Sequence, residues 1–147
     1  MTIFNSLRTS ATGLSAERLR MDLIANNIAN AETTRTEDGG PYVRKAAVFK
    51  PYRSFESILN NERGKAMGVT VDRIVEDKAP FRLEYDPEHP DAIQEEGELK
   101  GYVQYPNVNP AKEMIDMITA SRAYEANVTV MNSAKSMAMK ALEIGRG

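Results

Sequence analysis

The chain has no cysteine and no tryptophan among its 147 residues. Without cysteine it can form neither disulfides nor thiolate metal sites. Its uninterrupted apolar runs are far too short for a transmembrane helix, and its N-terminal region lacks the basic and apolar segments of a cleavable secretory signal. We therefore expect no membrane insertion, and export by another route if the protein leaves the cytoplasm.

The chain also has little net charge, −2 at neutral pH, and a single histidine. No basic stripe is present to neutralise phosphates, so nucleic acid is not an expected partner. His89 lies between Asp86 and Asp91 in a proline-rich segment, which is typical of a structural turn rather than of a metal site with converging ligands. No phosphate-binding glycine loop or nucleophile motif occurs. We predict no catalytic residue, no metal and no cofactor.

Proline and aromatic residues are almost absent from the two ends. All seven prolines lie between Pro41 and Pro110, and residues 38–41 form a strong turn signal. This distribution predicts a mainly α fold with a small β-rich insert, divided into an N-terminal coiled-coil helix (1–30), a central β and loop insert (31–109) and a long C-terminal helix (110–147). Short strands are expected within Val43–Phe49, Val69–Val71, a half-buried Phe81–Tyr85, and Val103–Tyr105.

Both ends carry apolar residues in steps of three and four, as in a coiled coil. The N-terminal seam comprises Phe4, Leu7, Ala11, Leu14, Arg18, Met21, Ala25 and Ile28. The C-terminal seam comprises Met114, Met117, Ser121, Tyr124, Val128, Met131, Lys135, Ala138 and Leu142. Spacing alone leaves an intramolecular hairpin and an intermolecular bundle equally open. The interruptions at Arg18 and Lys135 favour a surface shared among several chains, because a closed seam of two helices would bury a charge at each.

Three asparagines, Asn26, Asn27 and Asn30, end the first helical segment. Asparagine is a poor helix former, so one interpretation is a frayed helix end facing solvent. The alternative is that these amides bond to the following loop or to a neighbouring chain, because an amide both donates and accepts and can fix one geometry.

The run from Ala25 to Asn30, followed by Thr33, resembles the N-terminal motif of the flagellar rod and hook proteins. The segment Asn109–Arg146, which includes Ser121–Asn127 and Ala141–Arg146, resembles their C-terminal motif. Tyr85–Ala92 and Gly101–Asn109 narrow the resemblance to the proximal rod members. The likeness spans the chain. One departure is the acidic segment 93–100, where the family leads us to expect a shorter link.

The resemblance implies a structural subunit of the flagellar basal body that polymerises into the proximal rod, transmits torque across the periplasm and serves motility. It implies terminal helices in an inner tube, an insert facing outward, and unfolded export through the flagellar type III apparatus without a cleaved signal. The implied partners are further copies of the chain, other rod proteins, the rod–ring junction protein and the base of the membrane ring.

We expect the assembly interface to comprise the larger seam residues and the amides. These are Leu7, Leu14, Met21, Asn26, Asn27, Ile28, Asn30, Met117, Tyr124, Asn127, Val128, Met131 and Ala138. Two rival hypotheses remain: a cytosolic coiled-coil adaptor of fixed oligomeric size, and an enzyme that depends on His89.

Overall fold

The computed structural model describes residues 3–37, 39–52 and 68–145. In that part, helix α1 (Ile3–Ala29) and helix α2 (Pro110–Ile144) enclose strands β1 (Lys45–Pro51), β2 (Val69–Glu76), β3 (Arg82–Tyr85) and β4 (Tyr102–Tyr105). The prediction of a mainly α chain with a small β-rich insert is confirmed. Parts of the predicted segments and motifs lie outside the described residues. These parts are residues 1–2, 38, 53–67 and 146–147.

The start of α2 follows directly from its sequence. The side-chain oxygen of Asn109 accepts from the backbone N–H of Lys112 at 3.2 Å, which satisfies one of the free donors of the first turn. Pro110 occupies the first helical position, where its missing N–H costs nothing. Glu113 lies in the first turn, where the helix dipole favours a negative charge.

The strands form two pairs. β1 pairs with β2, and β3 pairs with β4. The β3–β4 pair is antiparallel, with Arg82 opposite Tyr105 and Tyr85 opposite Tyr102. Backbone hydrogen bonds flank the β1–β2 pair, from Tyr52 N to Gly68 O at 2.9 Å and from Asp77 N to Arg44 O at 2.8 Å.

The expectation that β3 is half-buried is wrong. All four of its residues are exposed, including Leu83 at 45% and Tyr85 at 64%. Val103 of β4 lies opposite Glu84 and is completely buried, but the Glu84 side chain is 62% exposed. Neither face of β3 is therefore buried, and its apolar alternation does not mark a core face.

The buried positions of both helices tend to precede the predicted seams by one residue. In α1 they are Ser10, Ala16, Leu23, Ile24 and Asn27, and in α2 they are Glu113, Ala120 and Ala134. The seam residues Ala11, Arg18 and Ala25 are exposed. Many of the buried residues are small, which permits helix backbones to approach closely.

The chain divides into two compact units. Unit 1 comprises Met1–Met21, Ala47–Ile74 and Ile118–Gly147, and unit 2 comprises Asp22–Ala46 and Val75–Met117. In unit 1, a Cβ added to Gly13 would lie 3.1–3.3 Å from the side-chain amide of Asn127. The hydroxyl of Thr12 accepts from Val69 N at 3.1 Å. Unit 2 contains the buried polar side chains of Asn27 and Glu113.

Candidate functional site

Asn27, in the last turns of α1, is 1% exposed and forms four hydrogen bonds within unit 2. Its Nδ2 donates to Lys45 O at 2.9 Å and to Glu113 Oε2 at 3.0 Å. Its Oδ1 accepts from the Tyr42 hydroxyl at 3.0 Å and from Lys45 N at 3.0 Å. A side-chain amide has two donors and two acceptor positions, so Asn27 is fully satisfied. Its paired bonds to the N–H and C=O of Lys45 reproduce the pattern of a strand neighbour.

Glu113, in the first turn of α2, is 0% exposed and is the fully buried acidic partner of this amide. Its Oε1 accepts from Arg44 Nε at 2.7 Å. We refer to Asn27, Tyr42, Arg44, the Lys45 backbone and Glu113 as the Asn27 cluster. A buried carboxylate is tolerated when it is paired and hydrogen-bonded, and here both of its oxygens have partners.

Arg44 connects Glu113 to two further carboxylates. Its guanidinium lies 3.4 Å from Asp77 Oδ2 and 3.9 Å from Asp116 Oδ2. Burial acts to lower the pKa of Arg44, but the hydrogen bond to Glu113 and the charges of Glu113, Asp77 and Asp116 outweigh burial and raise it. The guanidinium is therefore firmly held in its charged form.

Tyr42 is the neutral donor of the cluster. Burial raises the pKa of its hydroxyl, and the negative charges of Glu113 and Glu76 raise it further. Each of these effects favours the protonated hydroxyl that donates to Asn27.

The other two asparagines of the run bond locally. Asn26 is exposed and its Nδ2 donates to Asp22 O at 3.0 Å. Asn30 Nδ2 donates to Asn26 O at 2.9 Å, and its Oδ1 accepts from Thr33 Oγ1 at 3.2 Å. The three amides thus have different environments, although the sequence presents them as one motif. The sequence did not reveal the roles of Tyr42, Arg44 and Glu113 in this cluster.

The apolar residues of the expected interface are half-buried in the single chain. This holds for Leu7, Leu14, Met21 and Ile28 in α1, and for Met117, Tyr124, Val128, Met131 and Ala138 in α2. Asn127 is half-buried as well, and its Nδ2 donates to Ala123 O at 3.0 Å.

A second set of apolar side chains is strongly exposed and lies mostly outside the predicted seams. It consists of Phe4 in α1 and of Met114, Ile115, Ile118, Val130, Met137, Met139, Leu142 and Ile144 in α2. Leu142, for example, is 70% exposed. Only Phe4, Met114 and Leu142 belong to a predicted seam. The sequence signal for this set is that α2 carries apolar residues around most of its circumference, which is typical of a helix with more than one partner.

His89 has a structural role in its turn. Its Nδ1 accepts from Asp91 N at 3.1 Å. Among the described residues, no group of three or more His, Asp or Glu side chains is arranged to hold a metal ion. In the same part of the chain, neither helix is long and apolar enough to cross a membrane.

Comparison with known proteins gives full-length matches. The chain is 51% identical to the flagellar basal-body rod protein FlgC of Borreliella burgdorferi over 100% of both chains. It is 49% identical to that of Bacillus subtilis over 99% of this chain and 100% of the relative. The chain belongs to the FlgC family of flagellar basal-body rod proteins. The FlgC protein of Aquifex aeolicus is 41% identical over 97% of each chain.

Family models match both ends of the chain. Residues 7–35 match a family described as flagella basal body rod protein, and residues 99–144 match the C-terminal family of the flagellar basal body rod FlgEFG proteins. The two matches include Asn27 and Glu113. The FlgC family is one of flagellar structural proteins and is not a known class of enzyme.

Proposed function

We propose that this chain is a subunit of the proximal rod, polymerising with copies of itself and with other rod proteins into a tube that transmits torque across the periplasm. The proposal assigns it a mechanical role in flagellar motility and no catalytic activity. It assigns no role in nucleic-acid binding or membrane insertion.

The observation that carries the proposal is the exposed set of large apolar side chains on the terminal helices. Covering such residues contributes about 1.5–3 kcal/mol for each side chain that becomes fully buried. A surface that binds other subunits leaves these residues exposed in the single chain, and assembly then stabilises the helices by mass action. The long α2, from Pro110 to Ile144, offers room for contacts with several neighbours.

We further propose that α1 and α2 form a coiled-coil-like bundle through the half-buried seam residues. In this arrangement Leu7, Leu14, Met21 and Ile28 pack against Tyr124, Val128, Met131 and Ala138 and against equivalent seams of adjacent subunits. The exposed set provides additional contacts. The segments 1–30 and 110–147 then build the inner tube, and 31–109 faces outward.

We propose that the chain leaves the cytoplasm unfolded through the flagellar type III apparatus and folds in the periplasmic basal body. There it contacts the rod–ring junction protein and the base of the membrane ring. The absence of cysteine is compatible with export because no disulfide has to form.

Single cysteines in motile cells test the assembly proposal, since the natural chain has none. Ile118→Cys and Met137→Cys replace exposed apolar residues of α2. With a maleimide–benzophenone reagent, whose maleimide attaches to the cysteine and whose photoactivated ketone inserts into a nearby C–H bond, they should give crosslinks to further copies and to other rod proteins. Leu99→Cys is the matched control, because Leu99 is also an exposed aliphatic residue but lies outside the helices. A cysteine at position 99 should give no crosslinks to the helices of other rod proteins.

Two results would contradict the assembly proposal. One is equal crosslinking of all three variants. The other is unchanged crosslinking in cells that lack the export apparatus, which would indicate a cytosolic oligomer of fixed size. For the bundle, the pair Leu14→Cys with Val128→Cys distinguishes contacts within a chain from contacts between chains by gel mobility.

A further inference from the structure

The Asn27 cluster is an unusual way to join a helix end to its neighbours. Three segments of unit 2 meet at one amide: the last turns of α1, residues 42–45, and the first turn of α2. Leu23 and Ile24, in the preceding turn of α1, are buried as well. Apolar contacts are tolerant of rearrangement, so these two residues alone do not select a single packing.

The polar groups of the cluster are much less tolerant. All four hydrogen-bonding positions of Asn27 are used, and both oxygens of the fully buried Glu113 have a partner. A shift of α1 by one turn would place an apolar side chain, or an amide in another orientation, against Glu113. A buried carboxylate that loses a partner is strongly disfavoured.

We propose that the Asn27 cluster determines the conformational specificity of unit 2, selecting one packing of the end of α1 against Lys45 and α2 rather than adding net stability. Removing two charges from water offsets most of the attraction within a buried ion pair. The cluster excludes alternative packings because only one arrangement satisfies all of its groups. This role concerns the fold of the single chain and does not depend on the proposed assembly.

Single and paired substitutions in the Asn27 cluster should change the stability of the chain in different ways. Asn27→Leu alone leaves Glu113 with one buried partner fewer, and Glu113→Leu alone leaves Arg44 and Asn27 incompletely paired. Each should shift the urea midpoint strongly downward. The double variant Asn27→Leu with Glu113→Leu removes the buried amide and the buried charge together. Arg44 keeps Asp77 and Asp116, so the double variant should be more stable than either single variant. It should remain below the natural chain, because Lys45 N, Lys45 O and the Tyr42 hydroxyl still lose Asn27 as a partner.

The decisive measurement is whether unit 2 adopts one packing or several, which 1H–15N correlation spectra of the full chain report. In the double variant, residues 22–29 and 42–46 should give more than one set of peaks. Amide exchange within α1 at residues 23–28, whose own acceptors are not substituted, should accelerate by about tenfold or more. Asn26→Leu is the matched control: Asn26 is exposed and its Nδ2 bonds to Asp22 O within α1. This variant should keep a single set of peaks and the natural exchange rate.

Three outcomes would overturn the proposal. A double variant with near-natural stability and a single set of peaks would mean that apolar packing selects the arrangement. A double variant that fails to fold would mean that the cluster supplies net stability. A natural chain whose residues 22–46 exchange at the rate of an unfolded chain would mean that no single packing exists to be selected.

Discussion

Gly68 precedes β2 and combines two constraints at one residue. Its φ is +131°, a conformation that side chains rarely adopt, and an added Cβ would overlap the hydroxyl of Thr12. That hydroxyl accepts from Val69 N at 3.1 Å and donates to Thr9 O at 2.8 Å, so it has little freedom to move away.

We expect Gly68→Ala to cost about 1–3 kcal/mol for backbone strain and a further amount for the overlap with Thr12. Gly39→Ala is the matched control, because Gly39 has a φ of +80° and open space around an added Cβ. Urea unfolding of both variants checks the prediction. Equal losses would show that the contact with Thr12 adds nothing.

Tyr42 gives a prediction about alkaline pH. Burial and the nearby Glu113 and Glu76 raise its pKa above the ordinary value of 10.0. Between the unfolded and folded pKa values, the unfolded chain loses the phenolic proton more readily than the folded one. The contribution of Tyr42 is thus fully present below about pH 10 and is lost as the pH rises through the folded pKa.

The free energy of unfolding should therefore fall less steeply above pH 10 in Tyr42→Phe than in the natural chain. At pH 8 this variant should be less stable by about 1 kcal/mol, because Asn27 loses one hydrogen bond. Tyr52→Phe, at an exposed tyrosine, is the matched control and should keep the natural stability at pH 8. Parallel pH profiles for Tyr42→Phe and the natural chain would contradict the assignment.

The asparagine run shows what the sequence could predict at this scale. It left two interpretations open, a frayed helix end or bonds from the amides to the following loop or a neighbouring chain, and Asn30 does bond to Thr33 in that loop. It could not distinguish Asn27 from Asn26, since adjacent asparagines have the same chemistry and differ only in the direction in which the helix presents them. Arg44 and Glu113 are separated from Asn27 by long stretches of chain, so no local pattern connects them.

At the scale of elements, the two terminal helices were predicted from the sequence, but their buried faces were not. Proline at 110 and the three-four spacing were sufficient to predict α2, which runs from Pro110 to Ile144. The buried stripe of α1 includes Ser10, Ala16 and Asn27, which an apolar pattern does not select because they are small or polar. The prediction for β3 failed for a related reason, since alternation distinguishes two faces of a strand but does not show that either one is buried.

Close approach of α1 and α2 in unit 1 depends on Gly13. An added Cβ would lie 3.1 Å from Asn127 Nδ2, which itself donates to Ala123 O. Alanine is favoured over glycine within a helix by about 1 kcal/mol, so propensity and packing oppose each other at this position.

We expect Gly13→Ala to stabilise the chain by about 1 kcal/mol when Asn127→Ala is also present, and by clearly less when Asn127 is retained. The difference measures the crowding between the two residues. Urea unfolding of the four chains of this cycle provides the test. The same effect of Gly13→Ala in both backgrounds would mean that the helices separate easily.

At the scale of the whole molecule, the Asn27 cluster and the C-terminal end of α2 differ in how fully their side chains are buried and hydrogen-bonded. The Asn27 cluster leaves no donor or acceptor of its amide unpaired, and Leu23 and Ile24 are buried beside it. In contrast, every residue from Lys135 to Gly145 except Ala138 is exposed, including Met137, Leu142 and Ile144. A helix end without burial depends on propensity alone, and isolated helical segments of this length are marginal in water.

Hydrogen exchange of the dilute monomer should therefore be graded along the chain. Amides of residues 23–28 should be protected, whereas those of 136–144 should exchange close to the rate of an unfolded chain, because local opening there exposes almost no new apolar surface. In isolated basal bodies, 136–144 should gain protection by at least about tenfold if neighbouring subunits cover this end. The Asn26→Leu chain should show the same gradient. Strong protection of 136–144 in the dilute monomer would show that the end of α2 is stable without partners, and the exposed apolar set would then need another explanation.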